Sequence, residues 1–106
     1  MNFDNKVVIV TGAARGLGQE YARQFARLGA RVVACDLRDC SDTLAAVEGE
    51  GAKGLALKTD VTSAESTKAM AEAAVDAFGG IDVLVNNAGL YGSLTFAPFD
   101  KLDESE

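Results

Sequence analysis

The sequence predicts an α/β fold in which four parallel strands form a sheet with helices on both faces. Two observations support this prediction. Four short apolar runs alternate with three longer segments in which apolar residues recur at helical spacing. The first run, VVIV at residues 7–10, is continuous and β-branched, as expected of a central strand covered on both faces. Right-handed crossovers between such strands give the strand order 3-2-1-4.

The predicted elements follow one another from residue 6 to residue 85. Strands are expected at residues 6–11, 31–36, 53–59 and 81–85. Helices are expected at residues 16–28, 41–48 and 62–78. Thr62 and Glu65 have the spacing of a capping box at the start of the third helix. Residues 90–106 are expected to form a loop and the beginning of a further helix, so that residues 1–106 make one partial domain.

Each predicted helix has apolar residues that are expected to face the sheet. In the first helix this stripe comprises Leu17, Tyr21, Ala22, Phe25 and Leu28. In the third helix it comprises Met70, Ala73, Ala74, Ala77 and Phe78. The shorter second helix depends on Leu44 and Val47. In the third strand Leu55 and Leu57 alternate with smaller or polar residues, which predicts an outer strand with one wetter face.

A glycine-rich turn joins the first strand to the first helix. Gly12, Gly16 and Gly18 allow positive φ, close approach of a ligand to the backbone, and tight packing of the helix on the strand. The N-terminus of the helix points unpaired N–H groups at the same place, which suits a pyrophosphate. A P-loop is excluded because the Gly-Lys-Ser/Thr sequence of that motif is absent.

Asp36 ends the second strand, 18 residues beyond Gly18 and close to the roughly 20 expected of a carboxylate that binds an adenosine ribose. An acidic residue there repels a 2′-phosphate, which favours NAD over NADP. Leu37, the next residue, offers no positive group that would attract such a phosphate. The alternative interpretation of Asp36 is a solvated strand end or a helix cap.

The chain resembles the short-chain dehydrogenase/reductase family over nearly its whole length. TGAARGLG, which begins at Thr11, is similar to the glycine motif of that family; Asp60 and Val61 resemble its Asp-Val pair beside the adenine, and VNNAG, which begins at Val85, resembles its Asn-Asn-Ala-Gly motif. The resemblance implies half of a Rossmann doubly wound sheet and a dinucleotide site. It also implies that Arg15 argues for NADP, since a basic residue before the second glycine of the turn accompanies NADP in some members, but Leu37 adds no second positive group and we give Asp36 the greater weight. The implied cofactor-binding residues are Gly12, Arg15, Gly16, Leu17, Gly18, Asp36, Leu37, Asp60, Val61, Asn86, Asn87, Ala88 and Gly89.

The catalytic residues of the family have no counterpart that we can identify in this sequence. The resemblance implies a serine and a Tyr-x-x-x-Lys pair, yet neither Tyr21 nor Tyr91 is followed by lysine four positions later. The family's catalytic asparagine is likewise expected beyond residue 106. A developing alkoxide beside NADH would therefore lack a proton donor. We expect a truncated oxidoreductase that binds its cofactor and is inactive by itself.

Composition and charge argue against nucleic-acid binding, membrane binding and a metal site. The net charge of −6 gives no electrostatic basis for binding nucleic acid or an anionic membrane. There is no histidine, and Cys35 and Cys40 have no metal-binding or redox spacing, so no metal site is expected. No segment is apolar enough to span a membrane, and the first residues, MNFDNK, show no positive region followed by an apolar one, so we expect no signal peptide. We expect a cytoplasmic protein.

The fourth predicted strand would be an uncovered edge of the sheet. Its residues 81–85, IDVLV, would present open hydrogen-bonding positions to another chain, which predicts a homodimer with a joined sheet. Two functions therefore stay open: the NAD-binding half of an oxidoreductase that acts on alcohols or ketones, and a non-catalytic nucleotide-binding or dimerising scaffold. A third hypothesis is a fold that has lost its affinity for the cofactor.

Overall fold

A computed structural model of the chain describes residues 2–87. Strands and helices alternate strictly along these residues. The strands are β1 (Val7–Thr11), β2 (Arg31–Asp36), β3 (Gly54–Lys58) and β4 (Val83–Asn86). The helices are α1 (Gly16–Arg27), α2 (Ser41–Gly49) and α3 (Ala64–Phe78). The predicted alternation is confirmed, and the bounds of β2 are the predicted ones.

The four strands form one parallel sheet in the order β3-β2-β1-β4, as predicted. β1 lies between β2 and β4, with Thr11 opposite both Cys35 and Asn86. All five residues of β1 are buried, because helices cover both faces of the sheet at its centre. β3 and β4 are the outer strands, and their residues are mostly half-buried.

The side chains of β1 alternate between two separate apolar cores. Val8 and Val10 belong to the core that lies on the side of α1 and α2, together with Ala22 and Val47. Val7 and Ile9 belong to the core on the other face, where Met70 of α3 packs. At the start of β1, the N–H of Val7 donates to Oδ2 of Asp82 at 2.8 Å.

The predicted apolar stripe of α1 is wrong in part. Leu17 and Tyr21 are 65% and 38% exposed, respectively. The buried residues of α1 are Gly18, Ala22 and Ala26. These residues are four positions apart, so they share one face, and their small size lets the helix lie close to the sheet. Leu17 and Tyr21 each precede a buried residue by one position, about 100° around the helix, and so face away from it.

The stripes of the other two helices are closer to prediction. In α2, Val47 is buried and Leu44 is half-buried. In α3, Met70 and Ala74 are buried. Ala77 is exposed, so its predicted place in the stripe is wrong. The face of α3 that meets the sheet is the narrow i, i+4 row of Met70 and Ala74, and Ala77 lies outside it.

The predicted capping box of α3 is also wrong. Ser63, and not Thr62, is the N-cap: its Oγ accepts from the N–H of Ser66 at 3.1 Å. Thr62 instead donates to Oδ1 of Asp60, within the loop that precedes the helix. Glu65 thus lies at the second position of α3, one short of the position from which a capping-box side chain reaches back.

Several other element ends differ from prediction by one or two residues. β4 begins at Val83 rather than at residue 81. Asp82 precedes it, donates its N–H to the Val7 carbonyl at 2.9 Å and accepts from the Val7 N–H at Oδ2. α1 ends at Arg27 with Leu28 as its C-cap, and Gly29 follows with φ of 98°, which is the left-handed conformation that glycine allows. No helix within residues 2–87 has the length and apolarity that crossing a membrane requires.

Candidate functional site

The carboxyl ends of all four strands lie along one edge of the sheet, because the strands are parallel. Ligands of open α/β sheets bind at this edge. The backbone N–H of Thr59, just past β3, donates to the carbonyl of Asp36 at 2.8 Å, so these strand ends stay in register. The strands end at this edge with Thr11, Asp36, Lys58 and Asn86.

The glycine turn between β1 and α1 has a backbone conformation that glycine adopts readily and other residues do not. Gly12 and Gly16 both have φ of 63°. A Cβ on Gly18 would overlap the carbonyl oxygen of Gly12 and come within 2.9 Å of Nδ2 of Asn87. The turn therefore packs directly on the first turn of α1, with no room for a side chain between them.

The N-terminus of α1 lies open beside this turn. Arg15 is the N-cap residue and makes no side-chain capping bond, and the first turn of α1 contains no acidic residue. The Arg15 side chain is exposed. The first N–H groups of the helix and its positive dipole end are thus suited to an anionic group, and a phosphate fits beside a backbone without side chains.

Asp36 contacts the glycine turn directly. Its Oδ2 accepts from the N–H of Ala14 at 3.0 Å, and its Oδ1 accepts from the N–H of Arg38 at 3.0 Å. A carboxylate offers about four acceptor positions, so each oxygen keeps the capacity for a further bond. Leu37, the next residue, is 68% exposed. The carboxylate and the turn thus form one surface.

Two polar residues of this site escaped the sequence prediction. Thr43 of α2 is completely buried, and its hydroxyl donates to the carbonyl of Ala13 at 2.6 Å. Gln19 of α1 donates to Oγ1 of Thr43 at 3.0 Å and to the carbonyl of Ala14 at 3.4 Å. The one signal for Thr43 in the sequence is that it lies four positions before the buried Val47, so a hydroxyl occupies the apolar face of the helix.

Asp60 is bound within its own loop. Its Oδ1 accepts from the backbone N–H of Thr62 at 2.9 Å and from the hydroxyl of the same residue at 2.5 Å. These bonds hold the pKa of the Asp60 carboxyl below its usual range. The backbone N–H of Asp60 donates to Oγ of Ser66, which joins the loop to α3. Val61 follows and is half-buried.

The two asparagines after β4 contact β1 and the glycine turn. Oγ1 of Thr11 lies 3.1 Å from Oδ1 of Asn86, to which it donates. Nδ2 of Asn87 donates to the carbonyl of Gly12 at 3.3 Å. The remaining predicted residues of this motif, Ala88 and Gly89, lie outside the described residues.

The two cysteines are buried and unpaired. Burial raises the pKa of the Cys35 thiol to about 12 and that of the Cys40 thiol to about 11. Both thiols are therefore poor nucleophiles at neutral pH. Within residues 2–87, His, Cys, Asp and Glu form no group of three that could hold a metal ion.

Comparison with known proteins agrees with this geometry. A family model described as short chain dehydrogenase matches residues 6–106. The chain is 50% identical over 94 residues to an uncharacterized oxidoreductase of Mycobacterium tuberculosis, covering 87% of this chain and 38% of that protein. It is 42% identical over 105 residues to galactitol 2-dehydrogenase of Agrobacterium fabrum, covering 98% of this chain and 39% of that protein.

Solved structures agree as well. The crystal structure of a hydroxysteroid dehydrogenase from Escherichia coli superimposes with a TM-score of 0.78 at 34% identity, covering 80% of this chain and 37% of that one. A dehydrogenase structure from Xanthomonas campestris gives 0.76 at 35% identity, with 79% and 35% covered. The chain spans about two fifths of the length of these relatives. It belongs to the short-chain dehydrogenase family and corresponds to an N-terminal portion of its members.

Proposed function

We propose that this chain binds NAD as the cofactor-binding part of an oxidoreductase that acts on an alcohol or a ketone. The observation that carries the proposal is the contact between Asp36 and the glycine turn through the Ala14 N–H. It puts a carboxylate beside the open N-terminus of α1, so that one surface offers acceptors for ribose hydroxyls and donors for a pyrophosphate. Relatives of the chain include galactitol 2-dehydrogenase and fluoren-9-ol dehydrogenase, whose names denote alcohol substrates.

In this proposal each part of the dinucleotide has its own residues. The pyrophosphate lies against Gly12, Gly16 and the N-terminus of α1, where Arg15 and Leu17 are exposed. Asp36 accepts from the adenosine ribose. The residues proposed to line the adenine and the rest of the cofactor are Leu37, Asp60, Val61, Asn86, Asn87, Ala88 and Gly89. When bound, the nicotinamide ring accepts or donates the hydride.

The choice of NAD over NADP follows from the position of Asp36. A 2′-phosphate would meet the carboxylate and be repelled by its charge and its volume. The exposed Leu37 beside it has no charge with which to attract a phosphate. Arg15 is exposed at the N-cap of α1, and we propose that its positive charge interacts with the pyrophosphate rather than with a 2′-phosphate.

A titration of NAD into the purified 106-residue chain, followed by calorimetry with NADP as the comparison, tests the proposal. We expect saturable binding of NAD, weaker binding of NADP, and at least about tenfold weaker NAD binding in Asp36→Ala, which is about 1.4 kcal/mol. Asp76→Ala is the control, because it removes the same charge from an exposed position on α3. No binding of either nucleotide, or equal affinities in both variants, would contradict the proposal.

We propose in addition that the chain binds cofactor without turning over substrate by itself. The support comes from the sequence, in which neither tyrosine has a lysine four positions later. When a ketone is reduced by hydride, the alkoxide that forms needs a proton donor, and when an alcohol is oxidised, the same group must take up the hydroxyl proton. A cytoplasmic location is also proposed, because the two buried thiols are unpaired and disulfides are rare there.

We propose association through the outer edge of β4 as well. Among residues 2–87, β4 pairs with β1 alone, and all four of its residues are half-buried rather than buried. An open apolar edge offers N–H and carbonyl groups to a second copy, most simply in a two-fold dimer. Sedimentation over a micromolar dilution series should reveal this dimer; monomer at every concentration would contradict it.

A further inference from the structure

The apex of the glycine turn is held by four hydrogen bonds to residues of β2, α1 and α2. It consists of Ala13 and Ala14, and all four of their backbone polar groups have partners. The Ala13 N–H donates to the carbonyl of Cys35 at 3.0 Å. The partners of the other three groups lie in three different elements: Asp36 at the end of β2, Thr43 in α2 and Gln19 in α1.

Two of these partners hold the same peptide plane. The carbonyl of Ala13 and the N–H of Ala14 belong to one planar, trans peptide group and point in opposite directions. The Thr43 hydroxyl is 2.6 Å from that carbonyl oxygen, and Oδ2 of Asp36 is 3.0 Å from that nitrogen. Neither end of the plane can therefore turn without breaking the bond at the other end.

The hydroxyl of Thr43 makes two hydrogen bonds, one of them to the glycine turn. The residue is completely buried, and its oxygen donates to Ala13 while accepting from Nε2 of Gln19. A valine would have nearly the same volume at this position in α2, so packing alone does not require a hydroxyl. Burying a hydroxyl is unfavourable unless its hydrogen bonds are made, and here one is made to the turn at Ala13 and the other to Gln19 of α1, which also donates to the Ala14 carbonyl.

We infer that Thr43 is a positioning residue for the dinucleotide, acting on Asp36 through the Ala13–Ala14 peptide. The inference rests on the proposed function. Without the hydroxyl, the buried carbonyl of Ala13 loses its donor, and the peptide plane gains freedom to rotate. The Ala14 N–H then leaves Asp36, and the carboxylate that accepts from the ribose is no longer held in one orientation.

The test compares NAD affinity and thermal stability in variants of α2. Thr43→Val removes the hydroxyl and keeps the volume, whereas Thr43→Ser keeps the hydroxyl. Val47→Ala, one turn further along the same helix, removes a buried apolar side chain and leaves the hydrogen-bonding groups of Thr43, Gln19 and Asp36 unchanged. We expect NAD to bind about tenfold more weakly to Thr43→Val, about 1.4 kcal/mol, and within about twofold of the wild-type affinity to Thr43→Ser. Val47→Ala should lower the melting temperature and leave the affinity unchanged.

Two failures can be told apart. If the wild-type chain binds NAD and Thr43→Val binds it equally well, the inference is overturned and the proposed function stands. If the wild-type chain binds no NAD, the proposed function fails and the positioning role fails with it. Equal weakening in Thr43→Val and Val47→Ala would also overturn the inference, because it would trace the effect to lost stability. Amide exchange gives a second readout: the Ala14 N–H should exchange faster in Thr43→Val than in Thr43→Ser.

Discussion

The backbone N–H of Ala14 donates to Oδ2 of Asp36 at 3.0 Å, which ties the apex of the glycine turn to the end of β2. The other carboxylate oxygen, Oδ1, accepts from the N–H of Arg38. Each oxygen of Asp36 thus accepts a backbone hydrogen bond within the fold, in addition to the ribose contact that we propose. The same carboxylate fixes the shape of the turn and offers its remaining acceptor positions to a ligand.

Replacement of Asp36 by asparagine should therefore destabilise the fold. An amide presents one acceptor oxygen, so one of the two N–H donors loses its partner, at a cost of about 1–2 kcal/mol in the free energy of unfolding. Urea unfolding measures it. Asp39→Asn is the matched control, because Ser41 donates both of its bonds to one oxygen of Asp39, which the amide retains. Equal losses in the two variants would contradict this account of Asp36.

Gly18→Ala should be among the most damaging single substitutions in the turn. The new Cβ would overlap the Gly12 carbonyl oxygen and crowd Nδ2 of Asn87, so α1 must move away from β1. We expect a loss of about 1–3 kcal/mol or more in thermal or urea unfolding. Gly80→Ala is the control, because a Cβ there meets nothing within 4 Å. A Gly18→Ala chain as stable as the Gly80→Ala chain would contradict the close packing.

The sequence was sufficient to predict the strands and their order. The β-branched run of β1 is continuous because helices cover both of its faces. β2 ends at Asp36, β4 ends at Asn86, and Asp60 follows β3 by two positions, so polar residues mark the ligand edge. Asp36 lies beside the turn because register in a parallel sheet brings the end of β2 next to the turn after β1, and its contact with a ribose stays a prediction.

Other features could not be predicted because they depend on how the helices lie on the sheet. Leu17 and Tyr21 match a helical stripe, but Gly18 and Ala22 permit a closer approach and so become the buried face. The bond from Thr43 to Ala13 spans thirty positions in the sequence and depends on how α2 packs beside the turn. No local pattern contains that information.

Ser63→Ala tests the corrected start of α3. The Ser63 hydroxyl accepts from the N–H of Ser66, so its loss should lower the free energy of unfolding by about 1 kcal/mol, the usual cost of an N-cap. Thr62→Ala removes only an exposed bond to Asp60 and should cost less. Urea unfolding of the two variants measures the difference. A larger loss in Thr62→Ala would restore the capping box that the sequence pattern indicates.

The buried Cys35 thiol should make the fold less stable in alkaline solution. Burial raises its pKa from 9.0 to about 12, so the unfolded chain releases this proton at a lower pH than the folded chain does. The contribution of the protonated Cys35 thiol to the free energy of unfolding is fully present below pH 9. It is lost as the pH rises from about 9 to about 12, at no more than about 1.4 kcal/mol per pH unit. Urea unfolding of the wild type and Cys35→Ala at several pH values isolates it, because groups common to both chains cancel. The stability advantage of the wild type should shrink between pH 8 and about 10.5, whereas a constant difference would mean that the folded thiol ionises as readily as the unfolded one.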